Sequence, residues 1–333
     1  MKEASFYDKL DKKKVRCILC PNYCILSDDS VGLCGVRKNV KGKLYSLVYN
    51  RPCAIQLDPI EKKPLFHFKP GSKVLSIGTL GCNLKCLNCQ NFQISQIKAE
   101  ELDIHEVKSE KIVEMAKLNK AGIAFTYTEP TIFYEYMYDC AKLAKREGIF
   151  TVIISNGYIN EAPLKKLLKY IDAANIDLKS FEDIFYKSNC SGRIAPVLKT
   201  LQIIKESNIW LEITNLLIPG KNDSITEIEK MCSWIKENLG ENIPLHFSAF
   251  HPDYKLITLR PTPLRTLESV KKIAEKYLKY VYLGNLSLKG AEDTICPNCK
   301  EVLVEREGFN VKKNNIKELK CVKCGFKLDG VFV

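Results

Sequence analysis

The stretch Gly81–Asn91, GCNLKCLNCQN, places three cysteines, Cys82, Cys86 and Cys89, within eight residues and no fourth nearby. It follows the apolar run Val74–Gly78, and the same order of apolar run and then polar turn recurs along the chain. Ile123–Thr126 leads into TYTEPT with Glu129 at its tip, Phe150–Ile154 into SNGY, and Ala174–Leu178 ends in IDLKS. Leu211–Ile218 runs into ITNLLIPG, Leu245–Phe250 lies in HFSAFHPDY, and Val281–Leu283 leads into YLGN. Between these runs the apolar residues take a helical period: Phe133, Met137, Cys140, Ala141 and Ala144; Ile225, Ile228, Met231, Cys232, Ile235 and Leu239; Leu267, Val270, Ile273, Ala274, Tyr277 and Leu278. Strand followed by helix, repeated, implies an α/β fold: a parallel sheet with right-handed crossovers, closed into a full or partial (β/α) barrel. In such folds the chemistry sits at the C-terminal ends of the strands.

The residues at those ends are Cys82, Cys86, Cys89, Glu129, Asn156, Asp177, Lys179 and His251. Each has a plain structural reading. Glu129 can cap the helix after Pro130, Asn156-Gly157 can be a turn, and Asp177 with Lys179 can be an ion pair. Recurrence after successive strands is harder to assign to turns alone. The odd number of cysteines also has a chemical reading. A structural zinc site wants four protein ligands, whereas an iron–sulfur cube held by three thiolates keeps one iron open for a small molecule.

The composition agrees with a folded, metal-using protein. Of 333 residues, 46% are apolar, enough for a sizeable core. The N-terminus is charged, and no run long enough to span a bilayer occurs, so a cytosolic protein without a signal peptide or membrane contact is expected. Fifteen cysteines there point to metal rather than to disulfides, and with only four histidines the ligand is sulfur. The net charge of +12 is spread over scattered lysines, which reads as a solvated surface. Three regions separate: a Cys-rich extension and connector over 1–70, the barrel over 71–290 and a short segment with four cysteines over 291–333. The extension holds a hairpin turning at Val40–Lys43, VKGK, and ends in the extended connector DPIEKKPLFHFKPGS.

The motif CNLKCLNC after a first strand resembles the CxxxCxxC signature of the radical S-adenosylmethionine (SAM) superfamily. The chain looks most like the pyruvate formate-lyase activating enzyme type, and within it like the AmmeMemoRadiSam group. That group's N-terminal cysteine cluster, DPIEKKPLFHF-like string and GCNxxCxxCQNxQIS loop are all present here, followed in order by TYTEPT, ISNGY, IDLK and HFSAFHPDY. The resemblance implies that Cys82, Cys86 and Cys89 bind a [4Fe–4S] cluster whose open iron chelates SAM. It implies that Thr128 and Glu129 stand where relatives hold the methionyl amine, and that Asn156 and Gly157 match a TNG element near the cofactor. Asp177, Lys179 and His251 match residues that contact its carboxylate, amine and ribose. It further implies a one-electron donor such as flavodoxin or ferredoxin, and partnership with Memo- and Amme-family proteins. There are departures. Asn88 replaces an aromatic residue that packs on the adenine and offers it a hydrogen bond instead; Thr128 replaces a glycine; Ile154 stands where activating enzymes have a cation-holding Asp. No arginine occurs in WLEITNLLIPG, which leaves Glu212, Thr214 and Asn215 as its polar residues.

Two cysteine quartets flank this core. Cys296, Cys299, Cys321 and Cys324 have the C-x2-C…C-x2-C form of a zinc ribbon, with a structural role expected because so short a segment cannot build a core alone. Cys17, Cys20, Cys24 and Cys34 are less regular; structural zinc is favoured, with an auxiliary iron–sulfur cluster as the alternative. Cys140 and Cys232 lie on apolar helix faces and read as core, and Cys53 has no assigned neighbour. Cys190, in SNCSGR near the barrel mouth, is a candidate hydrogen-atom donor, though a packed loop cysteine is the plainer reading. His67 in FHF reads as a packed histidine.

The expected function is radical SAM chemistry on a protein or other macromolecular substrate, like that of the glycyl-radical activases. Modification of RNA by the same chemistry is a second reading, suggested by the basic charge and terminal zinc ribbon. A non-catalytic metal-binding scaffold is a third.

Overall fold

The computed structural model of the chain describes residues 1–97, 99 and 104–332. Its centre is one eight-stranded sheet: β1 (Ala54–Pro59), β2 (Lys73–Gly78), β3 (Gly122–Phe125), β4 (Thr151–Ser155), β5 (Ala173–Asp177), β6 (Trp210–Leu217), β7 (Leu245–Ala249) and β8 (Val281–Gly284). The strands lie in sequence order, β2 to β8 all parallel, with β1 antiparallel on the outer edge of β2. Each parallel connection carries a helix: α1 (Ser109–Leu118), α2 (Tyr134–Arg146), α3 (Glu161–Leu167), α4 (Ile194–Glu206), α5 (Ile225–Leu239) and α6 (Leu264–Ala274). All seven apolar runs of the sequence form the seven parallel strands. The sheet is open between β1 and β8, so of the two closures expected the partial barrel is the one found.

Alternation along the strands divides the core in two. Leu75, Ile77, Ile123, Phe125, Ile153, Ala174, Ile176, Leu211 and Ile213 face the helices and form the large apolar layer. Val74, Ala124, Val152 and Ala173 face inward and, with Ile60, Leu65 and Phe68, make an apolar floor inside the barrel. The helix periods hold: in α5, Ile228, Met231, Cys232, Ile235 and Leu239 are buried, and only Ile225, in the first turn, is exposed. Cys140 and Cys232 are core residues, as expected.

The connector forms β1 and then a 3-10 turn, Ile60–Lys62, so it joins the sheet before it extends. Its next residues, around Phe66 and His67, seal the open edge. The buried Glu212 carboxylate on β6 accepts the backbone N–H of Phe66 (3.0 Å) and of His67 (2.8 Å), the Trp210 indole (2.9 Å) and His246 Nε2 (2.6 Å). Burial alone would raise its pKa; the His246 hydrogen bond and its other partners hold it below the ordinary value. The C-terminal segment closes the other side. Arg306 donates to the Phe66 carbonyl (2.9 Å), and Val331 N–H to the His67 carbonyl (2.7 Å). Among the described residues no helix is long and apolar enough to cross a membrane.

The N-terminal residues form two small sheets, Lys2–Glu3 with Lys43–Ser46 and Arg37–Val40, and Tyr7–Lys9 with Val15–Cys17 and Ile25–Leu26. The expected hairpin is present, with Val40 opposite Lys43. A buried ion pair between Arg37 and Glu135 fastens this extension to α2.

His67 is fully buried. Its Nδ1 lies 2.7 Å from the Asp329 carbonyl, which can only accept, so Nδ1 carries the proton and Nε2 accepts from the Tyr282 hydroxyl (2.5 Å). Burial lowers its pKa from 6.5 to about 4. The unfolded chain therefore takes a proton that the folded chain refuses. The stability this group contributes is full above its unfolded pKa and is lost as the pH falls from 6.5 towards 4, by about 3 kcal/mol in all. Urea midpoints measured across that window should fall for the wild type and fall less for His67→Gln; parallel curves would contradict the assignment.

Candidate active site

Polar side chains from the strand ends meet in a cavity of about 570 Å³ above the apolar floor. Cys82, Cys86 and Cys89 line it, together with Asn88, Thr128, Glu129, Asn156, Asp177 and Lys179. The three cysteines, Glu129, Asn156, Asp177 and Lys179 are expected at one rim from the strand ends, and Asn88 and Thr128 near the cofactor from the resemblance; the structure brings these nine together.

Each plain reading of these residues also holds. Glu129 is buried and caps the turn Pro130–Phe133: its Oε1 accepts Thr131 N–H (2.9 Å) and the Ser155 hydroxyl (2.7 Å), and its Oε2 accepts Asn156 N–H (2.8 Å). Burial raises its pKa against the pull of these donors. Asn156 Nδ2 donates to Asn83 Oδ1 (2.9 Å) and lies 3.8 Å from Cys82 Sγ, so the carboxylate, the amide and the first cysteine form one network. Lys179 Nζ sits 2.8 Å from Asp177 Oδ2. Burial opposes the Lys179 charge, but Asp177 together with the Cys86 and Cys190 thiols outweighs it and holds the ammonium well above its ordinary pKa. Thr128 Oγ1 donates to the Thr79 carbonyl (2.8 Å).

Other candidates stand elsewhere. Gly157 faces away from the cavity with φ +68°, and a Cβ there would lie 2.9 Å from Ile176, so its role is to shape the turn after β4. His251 is exposed and outside the cavity, 3.3 Å from the Asn285 carbonyl. Cys190 is fully buried behind the cysteine loop, with Asn189 Nδ2 3.9 Å from its Sγ. It does not line the cavity, where a hydrogen-atom donor would have to stand; the packed-cysteine reading fits its place. Of the polar residues on β6, Thr214 reaches the cavity, Glu212 is committed beneath it, and Asn215 lies on the opposite face and bonds the Leu178 carbonyl (2.7 Å).

Sequence reasoning missed Asn83, whose place beside Cys82 in GCN was its only signal, and Ser95, whose hydroxyl lies 3.0 Å from Cys89 Sγ. It also missed Glu292 and Phe309, which the C-terminal segment brings to the cavity wall from far along the chain.

The donor set suits a metal cluster. Burial and then the Glu129 carboxylate push the Cys82 thiol well up, and the Cys190 hydrogen bond and burial do the same for Cys86. A metal that takes them as thiolates would offset that cost of ionisation. Their three sulfurs do not all lie within 4.8 Å of one another, which suits the corners of a cluster better than a single ion. The C-terminal quartet is different. Cys296 and Cys324 sulfurs are 3.7 Å apart, those of Cys299 and Cys321 3.6 Å, and all four lie within 4.8 Å, the spacing of a single tetrahedral ion.

Geometry and comparison agree on the class. The sequence pattern of the Radical SAM superfamily matches residues 76–235, and the chain belongs to that superfamily. It is 47% identical over 333 residues to the uncharacterised protein MJ0808 of Methanocaldococcus jannaschii, covering 99% of both chains. It is 24% identical over 213 residues to the pyruvate formate-lyase 1-activating enzyme of Escherichia coli, covering 59% of this chain and 86% of that one. The crystal structure of Streptococcus suis SuiB bound to precursor peptide SuiA is similar with a TM-score of 0.51 at 16% identity, over 68% of this chain and 51% of that one, which shows a shared fold. Membership implies an enzyme with a [4Fe–4S] cluster and SAM.

Glu129→Gln tests the network at the rim. The amide keeps the volume but turns a donor towards N–H and O–H groups that also donate. A loss of about 1–3 kcal/mol in folding stability is expected, read from denaturant midpoints; an unchanged midpoint would mean the network does not brace the site.

Proposed function

We propose that this radical SAM enzyme acts on a protein or another macromolecule, in the manner of the activating enzymes it resembles. The observation that carries the reading is the convergence of three cysteines with Glu129, Asn156, Asp177 and Lys179 on one cavity at the strand ends. In this reading Cys82, Cys86 and Cys89 hold the cluster and leave one iron open to SAM. Once bound, cluster and SAM would supply reductive radical chemistry that removes a hydrogen atom from the substrate, the electron coming from an external donor such as flavodoxin or ferredoxin.

The chain's own residues bind and orient. Asp177 and Lys179 present opposite charges 2.8 Å apart, which complement the ammonium and carboxylate of a methionyl group. Glu129, held by three donors, keeps a fixed orientation from which it accepts a further hydrogen bond at no cost in side-chain ordering. Asn88 Oδ1 is taken by Asn189 Nδ2 at 2.8 Å, so its own Nδ2 is the group that donates to the adenine. The apolar floor and the sealed edge keep water from the cavity's base. His251 stands outside the cavity, 3.3 Å from the carbonyl of Asn285, which lines it. The N-terminal cysteines, the DPIEKKPLFHF string and the QNFQIS loop support membership of the AmmeMemoRadiSam group, and with it Memo- and Amme-family partners.

Anaerobically reconstituted protein, reduced in the presence of SAM, should release 5′-deoxyadenosine, and Cys86→Ala should release none. Deuterated cell protein and deuterated RNA, supplied separately, then sort the substrates. Deuterium in the 5′-deoxyadenosine from the protein fraction supports the proposal, and deuterium from RNA alone replaces it with the second reading. A fully loaded cluster that never cleaves SAM would overturn both.

We further propose zinc in the C-terminal quartet. Metal analysis should find one zinc per chain that Cys299→Ser releases, with a lowered melting temperature because this segment seals the barrel edge. Full zinc retention by that variant would refute the assignment.

A further inference from the structure

The chain holds its cysteine groups at two spacings, and the difference discriminates between metals. In the C-terminal quartet every sulfur lies within 4.8 Å of the others. A tetrahedral ion with bonds of about 2.3 Å requires edges of about 3.8 Å, and the two sulfur pairs at 3.6 and 3.7 Å meet it. The N-terminal quartet does not close in this way. Among the described residues no three of Cys17, Cys20, Cys24 and Cys34 have sulfurs that all lie within 4.8 Å of one another, although none is disulfide-bonded. The four instead line one cavity of about 20 Å³. A cluster spreads its thiolates over separate irons, so its ligands do not crowd to the spacing of a single ion.

A second observation concerns what faces that cavity. Arg37 also lines it and is 2% exposed. One terminal nitrogen pairs with Glu135, while Nε and Nη1 have no partner. Buried guanidinium N–H groups left unpaired are costly. Thiolates and bridging sulfides are acceptors for such groups, and a metal centre held by four thiolates carries net negative charge for a cation to balance. The rest of the wall is apolar, Leu19, Leu26 and Ile132, which shelters a group that water and oxygen degrade.

We propose that Cys17, Cys20, Cys24 and Cys34 bind a second iron–sulfur cluster, with Arg37 donating to its sulfurs. This cluster is distinct from the one assigned to the Cys82 loop. It lies directly behind that loop: a Cβ on Gly81 would fall 2.4 Å from the Cys34 carbonyl oxygen.

The test removes the other cluster. Cys82→Ala/Cys86→Ala/Cys89→Ala protein, purified without oxygen, should retain iron and acid-labile sulfide in equal amounts, about two to four of each per chain, with the visible absorbance of a cluster. Adding Cys20→Ala and Cys24→Ala should abolish both. Native mass spectrometry of the wild type gives a readout independent of the variants: two clusters and one zinc are expected. One cluster and two zincs, iron without sulfide, or an empty N-terminal quartet would overturn the assignment. Because neither measurement involves SAM or a substrate, failure here leaves the proposed activity untouched, and the reverse also holds.

Discussion

The rest of the site depends on how a loop without regular structure is held still. Between the end of β2 and the short helix Phe92–Ser95 the chain runs through the three cysteines with no ladder of its own, so its backbone groups need partners from elsewhere. They come from four places. Gly81 N–H bonds Ile94, while Lys85 and Leu87 N–H bond the carbonyls of Cys190 and Asn189 at 2.8 and 2.9 Å. The Asn83 carbonyl accepts Asn22 Nδ2 from the N-terminal extension at 2.8 Å, and the Leu87 carbonyl accepts Lys255 N–H at 3.0 Å. Fixed in this way, the thiols face the cavity at little further entropic cost when they take up metal.

The same logic explains why charge is buried at the open edge. A sheet that does not close leaves unpaired backbone groups along a gap. Glu212 satisfies two N–H groups of the Phe66–His67 segment that fills it, and Arg306 one carbonyl. An apolar residue at either place would pack as well and leave those groups orphaned, which costs more than the burial gains. The gap therefore selects hydrogen-bonding side chains, and their pairing across β6, the connector and the C-terminal segment fixes how these three meet.

This is also where the sequence stops being legible. Buried strands declare themselves as continuous apolar runs and helices through a period of about 3.6 residues, so the seven parallel strands and the apolar helix faces are legible one window at a time. The rim residues were legible because the fold sends every strand end to one place. Glu212 was read as a polar residue of β6 on offer to the cofactor; that it serves the connector instead depends on a segment nearly 150 positions earlier, which no local pattern encodes. Phe309 and Glu292 reach the cavity by the docking of a separate segment, and Cys190 was assigned to the mouth because sequence order cannot say which side of a loop a residue supports.

The two flanking segments grip opposite sides of the same centre. The N-terminal quartet backs onto the cysteine loop through the contact of Gly81 with Cys34 and Val36, and Ala99 N–H bonds the Gly35 carbonyl at 3.1 Å. The C-terminal quartet anchors the strands Val302–Glu307 and Asn310–Asn314, whose connection carries Phe309 to the opposite wall. Neither segment is large enough to hold its shape by apolar burial alone, so the metal proposed at each end would substitute for a core. Ordering the N-terminal segment steadies the backing of the loop that carries the three thiols, whereas ordering the C-terminal one steadies a wall of the cavity they line. A barrel left open on one side needs both, because its rim is otherwise free to breathe, and groups that must meet at reactive distance lose most from small displacements.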